Sequence, residues 1–210
     1  MNGKFVFLFV TLTVLASART IPVEAQSVEV TKPYRHFKIR NPAQLSPAEA
    51  ISVYDKMASS MARGYGMSRD PAALQYGRWR RYNLSPYNSV THGNRYVNNF
   101  ANALAGRYGQ MKVGDKMPAG AIVVKDSFTV TSDRSVFAGA LFVMEKLPAG
   151  TSPATGDWRY RMIMPDGSLF GDSRGIGAGE VAFCHDCHKA NADRDYLFFM
   201  PEKYRRQFPD

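Results

Sequence analysis

The chain has 210 residues, with 27 Lys+Arg against 18 Asp+Glu and a formal net charge of +9. With 45% hydrophobic and 21% charged residues, and 13 Phe, 11 Tyr and 10 Met available to bury, the bulk of it is not a disordered polymer. The length allows one domain or at most two small ones, and 2 Cys with 4 His exclude a multi-disulfide scaffold or a multinuclear Cys/His metal site.

The N-terminus reads as an address. Lys4 precedes residues 5–16 (FVFLFVTLTVLA), an uncharged run that as a helix covers about 18 Å, too short for a hydrocarbon core of about 30 Å. The pattern predicts a cleaved signal peptide over residues 1–25, with Ala18 and Ala25 as alternative ends and Pro22 favouring the second. The mature chain has no second stretch of this kind, so no transmembrane segment is expected, and a periplasmic or secreted location follows. The basic residues gather only at Arg78-Trp79-Arg80-Arg81 and Arg205-Arg206, outside any nucleic-acid motif. A solvated surface, or one that attracts an acidic redox partner, is expected rather than a nucleic-acid site.

Residues 26–44 read as an irregular lead-in and residues 45–210 as a single domain. Ser46-Pro47-Ala48-Glu49 opens a helix with a capping box, Ile51, Tyr54, Ala58 and Met61 recur at helical spacing, and Gly64 and Gly66 close it. A second helix is predicted from Asp70-Pro71 towards Arg81, and a third over residues 98–107 after the extended Arg95-Tyr96-Val97. Residues 121–130, 136–147 and 158–164 are predicted strands, Pro165-Asp166-Gly167 a tight turn, 168–180 a Gly-rich loop and 180–190 a short helix.

That last helix carries both cysteines, in Cys184-His185-Asp186-Cys187-His188. Two thiols three apart on a helix face one side and can add to the two vinyl groups of haem, with His188 then held beneath the iron as axial ligand. Three alternatives are weaker. A thioredoxin-type pair belongs at the start of a helix after a strand. Zinc would need further ligands from His185, His92, His36 or a carboxylate. A disulfide between Cys184 and Cys187 is cramped. The reading is therefore α+β: an antiparallel β-sheet core with N-terminal helices and a short C-terminal haem-attachment helix. Only 22 residues follow His188, with Met200 the single Met among them, and the β-rich middle argues against an all-helical cytochrome. An open sixth position, suited to ligand binding or chemistry at the iron, is expected.

Over roughly residues 90–204 the sequence resembles the cytochrome P-460 family, which includes the cytochromes c′-β. The resemblance lies in Arg95-Tyr96-Val97-Asn98, in the segment from Met117 to Lys125, and in the haem motif followed by an aromatic strand at Asp195-Tyr196-Leu197-Phe198-Phe199. It implies an antiparallel sheet with helices, usually as a homodimer, and one haem c. The enzyme branch of the family joins a lysine to the haem macrocycle and oxidises hydroxylamine, often with nitric oxide as co-reactant, passing electrons to a soluble partner such as another cytochrome. The c′-β branch has no such link and binds nitric oxide or carbon monoxide at a five-coordinate iron. Lys125 is the position similar to the cross-linking lysine, with Lys146 as runner-up. On the strand Lys125 shares a face with Ala121 and Val123 but also with Ser127 and Thr129, a face that could equally meet solvent. The family's distal arginine falls at Gly93, beside His92 and Arg95, and its distal glutamate has only the offset Glu145 nearby. His92 and His36 are candidate sixth ligands or proton relays, or ordinary histidines. An electron-transfer cytochrome, with His188 and a sixth side-chain ligand, is the remaining alternative.

Overall fold

A computed structural model describes residues 39–208. The expected signal peptide, His36 and most of the lead-in lie outside the described residues. Ser46 caps α1 (Pro47–Gly66): its hydroxyl accepts from the Glu49 N–H, and the Glu49 carboxylate accepts from the Ser46 N–H. The buried stripe is Ala50, Tyr54, Met61 and Tyr65. Ile51 is not part of it, at 37% exposure, because Ala50, one helical step earlier, is the position that meets the sheet.

Asp70 caps α2 (Pro71–Gln75) by accepting from the Ala72 and Ala73 N–H groups. This helix starts where predicted and stops early, because Arg80 and Arg81 form strand β1 (Arg80–Arg81) against Ala101 and Phe100. The remaining strands are β2 (Tyr87–Ser89), β3 (Arg95–Ala101), β4 (Ile122–Val130), β5 (Val136–Ala138), β6 (Leu141–Lys146), β7 (Trp158–Ile163) and β8 (Leu169–Asp172). They build an antiparallel sheet with the path β1-β3-β4-β6-β7-β8, in which β2 also pairs with β3 and β5 with β4. The α+β architecture is as the sequence predicts.

Four further elements differ from expectation. The third helix is absent: residues 95–101 are strand β3, followed by one 3-10 turn at Ala103–Ala105. Asn98 and Asn99 point to opposite faces and find partners 28 and 9 residues on, Asp126 for one and Tyr108 for the other, which a helix's i, i+4 spacing would not supply. The predicted strand over 136–147 is two strands, with Gly139 and Ala140 between them. The Gly-rich loop contains β8, where Gly171 lets the strand approach: a Cβ there would lie 2.5 Å from the Gly177 carbonyl oxygen. The aromatic segment after the haem motif is irregular rather than a strand.

The sheet separates two cores. On one face Tyr54, Met61 and Tyr65 of α1 pack on Tyr96, Phe100, Phe128 and Val143. On the other, Val97, Val123, Met144, Trp158 and Tyr160 pack with Leu197 and Met200 from the C-terminal segment. Helix α3 (Ala182–His188), between 3-10 turns at Ala178–Val181 and Lys189–Arg194, lies on this second side. Among the described residues no helix is long and apolar enough to cross a membrane.

Candidate haem site

Alternation along β4 decides which side chains meet the motif helix. Lys125 stands opposite Asn99 of β3 and Phe142 of β6, and the next pairs along the same face are Met144 with Tyr160 and Lys146 with Trp158. Between this face, α3 and residues 197–201 lies a cavity of about 310 Å³. Its walls bring together Lys125, Cys184, Cys187 and His188, and add His92, Phe142, Tyr160 and Phe198. Ser127 and Thr129, which left open a solvent-facing reading for Lys125, are 0% and 4% exposed, so this face of β4 is interior.

The two cysteines are free thiols, Cys184 half-buried and Cys187 exposed. Burial pushes the Cys184 thiol up to about 12, and the neighbouring Cys187 adds to this. A thioredoxin-type nucleophile needs its thiol lowered instead, so this environment does not suit that chemistry. Among the described residues no group of three His, Cys, Asp or Glu side chains gathers to hold a metal ion, which leaves a zinc site short of ligands.

His188 is buried, and its Nδ1 lies 2.6 Å from the Tyr196 carbonyl oxygen. A carbonyl only accepts, so Nδ1 carries the proton and Nε2 keeps its lone pair, the arrangement of a metal-ligating imidazole. Burial, reinforced by the Lys125 ammonium, holds the ring down to about 4. His188 is therefore neutral at pH 7. Burial likewise pushes the Lys125 ammonium down to about 8, with Cys187 acting in the opposite sense. Lys125 makes no hydrogen bond or ion pair with any described residue.

The other candidates are placed elsewhere. Lys146, the runner-up, shares the sheet face of Lys125, but its Nζ is committed to Asp195 at 2.6 Å and to the Gly156 carbonyl at 2.8 Å. Glu145 is on the helix face, ion-paired with Arg161 and 3.8 Å from Arg159. Arg95 donates to the His92 carbonyl and packs against Gly139. His92 is half-buried on the cavity wall, its Nδ1 2.8 Å from the Ser89 hydroxyl and its ring edge-on to Phe142 at 5.0 Å.

The family model for Cytochrome P460 matches residues 76–199. The chain belongs to the cytochrome P460 family. No curated protein sequence shows a significant match to it. The match begins at Tyr76, earlier than the resemblance in sequence, and spans the sheet from β1 through the haem motif. Membership makes this a haem protein, and the cavity fits the group. Its walls are largely apolar, a neutral imidazole offers Nε2, two thiols stand on the same helix, and the Tyr160 hydroxyl is buried there without a hydrogen-bond partner among the described residues. Sequence reasoning passed over Phe142 and Tyr160. Strand parity was the signal for both, since each follows from Lys125 once the register across β4, β6 and β7 is known.

Proposed function

We propose that this cytochrome P460 family member is exported after loss of residues 1–25, carries one haem c, and oxidises hydroxylamine with Lys125 joined to the macrocycle. Bound haem supplies a one-electron iron couple and an open position for a small nitrogenous ligand. Cys184 and Cys187 would hold it by adding S–H across its vinyl groups, an addition from which nothing leaves, and His188 would offer Nε2 to the iron. The observation that carries the enzyme reading is Lys125: a lysine inside the cavity of Cys187 and His188, without a hydrogen-bond or ion-pair partner among the described residues, its amine lowered towards neutrality by burial. A neutral amine is nucleophilic where an ammonium is not. Joining Nζ to the ring edge would remove one hydrogen from each partner and would need an oxidant such as peroxide to take them. His92 lines the same wall, and in this reading it would accept protons from hydroxylamine. Electrons leave to a soluble one-electron partner, and the basic balance of the chain favours an acidic one.

A second reading, nitric oxide or carbon monoxide binding without turnover, is favoured by one observation: Glu145 is on the opposite face of the sheet, so the cavity has no carboxylate from that position. The optical spectrum of ferric and dithionite-reduced protein, matured with its haem, separates the readings. A red-shifted, broadened reduced Soret band that reverts to an ordinary c-type band in Lys125→Leu supports the cross-link, and hydroxylamine turnover then completes the case. An ordinary band in the unaltered protein overturns the cross-link. Nitric oxide binding without turnover selects the second reading, and a six-coordinate low-spin iron selects electron transfer.

A further inference from the structure

The carbonyl that receives the His188 Nδ1–H belongs to Tyr196, and Tyr196 sits in a strained corner. Asp195 and Tyr196 have φ of 54° and 66°, consecutive left-handed residues that are not glycine. Such a conformation is strained for a residue with a side chain and persists only where the surroundings over-determine it. Those surroundings centre on Asp195, which is 0% exposed. Its Oδ1 accepts from Lys146 Nζ at 2.6 Å, its Oδ2 from the Met117 N–H at 2.8 Å, and its carbonyl from the Trp158 indole N–H at 2.8 Å. Gly156, which receives the second hydrogen bond of Lys146, also makes room for the Tyr196 ring: a Cβ at that position would overlap it.

We propose that the buried Lys146–Asp195 ion pair is a positioning device for the iron-ligating imidazole. It ties β6 to the corner after α3, fixes the Tyr196 carbonyl, and through it fixes the ring orientation and tautomer of His188. The inference rests on His188 being the iron ligand. Burying two charges carries a desolvation penalty, and a well-packed apolar pair generally holds a core as firmly. What the charges add here is direction: three donors from three separate segments converge on one residue and leave its neighbour's carbonyl a single orientation. A fixed acceptor on Nδ1–H raises the basicity of Nε2 and so tunes the iron from outside its ligand set.

The test follows the Nδ1 proton of His188. In the haem-free full chain, nitrogen-edited NMR should show that proton protected from exchange; a proton exchanging as fast as that of a free histidine overturns the proposal, whether or not any variant folds. In Asp195→Asn, and in the charge-free double variant Lys146→Met/Asp195→Asn, exchange should quicken by about tenfold or more. The iron–histidine stretching band of the haem-loaded, reduced protein should shift and broaden in the same variants. Lys116→Met, which removes an exposed ammonium 3.6 Å from Asp195 Oδ1, should change neither signal. A folded double variant with both signals unaltered overturns the proposal, and so does a loss of thermal stability unaccompanied by those changes. A protected proton with no iron–histidine band in the unaltered protein overturns it through its premise, the ligand reading, which tells the two failures apart.

Discussion

Lys125 and Asp126 are neighbours on β4, and the two faces of the sheet treat their charges in opposite ways. On the helix face Asp126 is fully buried, and it accepts from the Tyr54 hydroxyl at 2.7 Å and from Asn98 Nδ2 at 3.0 Å. Burial pushes its carboxyl up to about 6, while those hydrogen bonds pull the other way. On the cavity face Lys125 has no such partners and is lowered to about 8. The helix face commits its polar groups: Tyr65, fully buried, donates to the Gly139 carbonyl at 2.7 Å. The cavity face keeps several without a partner among the described residues, namely the Lys125 amine, the Tyr160 hydroxyl and the His188 Nε2. Satisfied polar groups specify a fold, whereas uncommitted ones in a cavity are available to a ligand.

The largest expected effect falls on the cavity side. Replacing both Cys184 and Cys187 by Ala should abolish haem that survives denaturation, scored by haem stain on a denaturing gel, while the circular dichroism of the sheet is retained. Covalent haem in that variant would remove the attachment.

Lys125→Leu should act on stability in the sense opposite to a core lysine that has found a partner. Between about 8 and the usual 10.5 the folded chain binds fewer protons than the unfolded one at this residue. The stability of the haem-free protein should therefore rise with pH across that window, with the full penalty present below 8. The substitution should flatten the rise and add about 2 kcal/mol near pH 7, read by urea unfolding at several pH values. A decrease at pH 7 would mean that Lys125 has a stabilising partner.

On the helix face the contrast reverses. Tyr54→Phe leaves the Asp126 carboxylate one donor short and should cost about 1–3 kcal/mol, with the haem spectrum unaltered. A changed spectrum would show that the two faces are coupled through β4. Smaller still, Ser46→Ala removes the capping hydroxyl of α1 and should cost about 1 kcal/mol, again without effect at the cavity.

Features set by near neighbours are legible in the amino-acid order alone. The capping box at Ser46 and Glu49 is an interaction over three residues. The cysteines and His188 fall on one side of a helix through spacing alone, and the cavity wall holds all three. Interactions over distance are not legible in this way. Asn98 and Asn99 read as helical because their partners lie up to 28 residues away. Lys125 and Lys146 are ranked in the sequence only by the family resemblance, since each lies on a strand and on the same face. What separates them is Asp195, 49 residues beyond Lys146, which engages one ammonium and leaves the other free.

The sequence by itself determined the α+β class, the family resemblance and the motif helix, because capping, turn chemistry and i, i+3 spacing act within a few residues. Only the tertiary structure decided which face of β4 became a cavity, that Glu145 is directed away from it, and that the His188 proton meets the Tyr196 carbonyl. The physical reason is parity combined with distance. A strand offers each side chain one of two faces, and the partner that makes a face interior, polar or empty arrives from a distant segment.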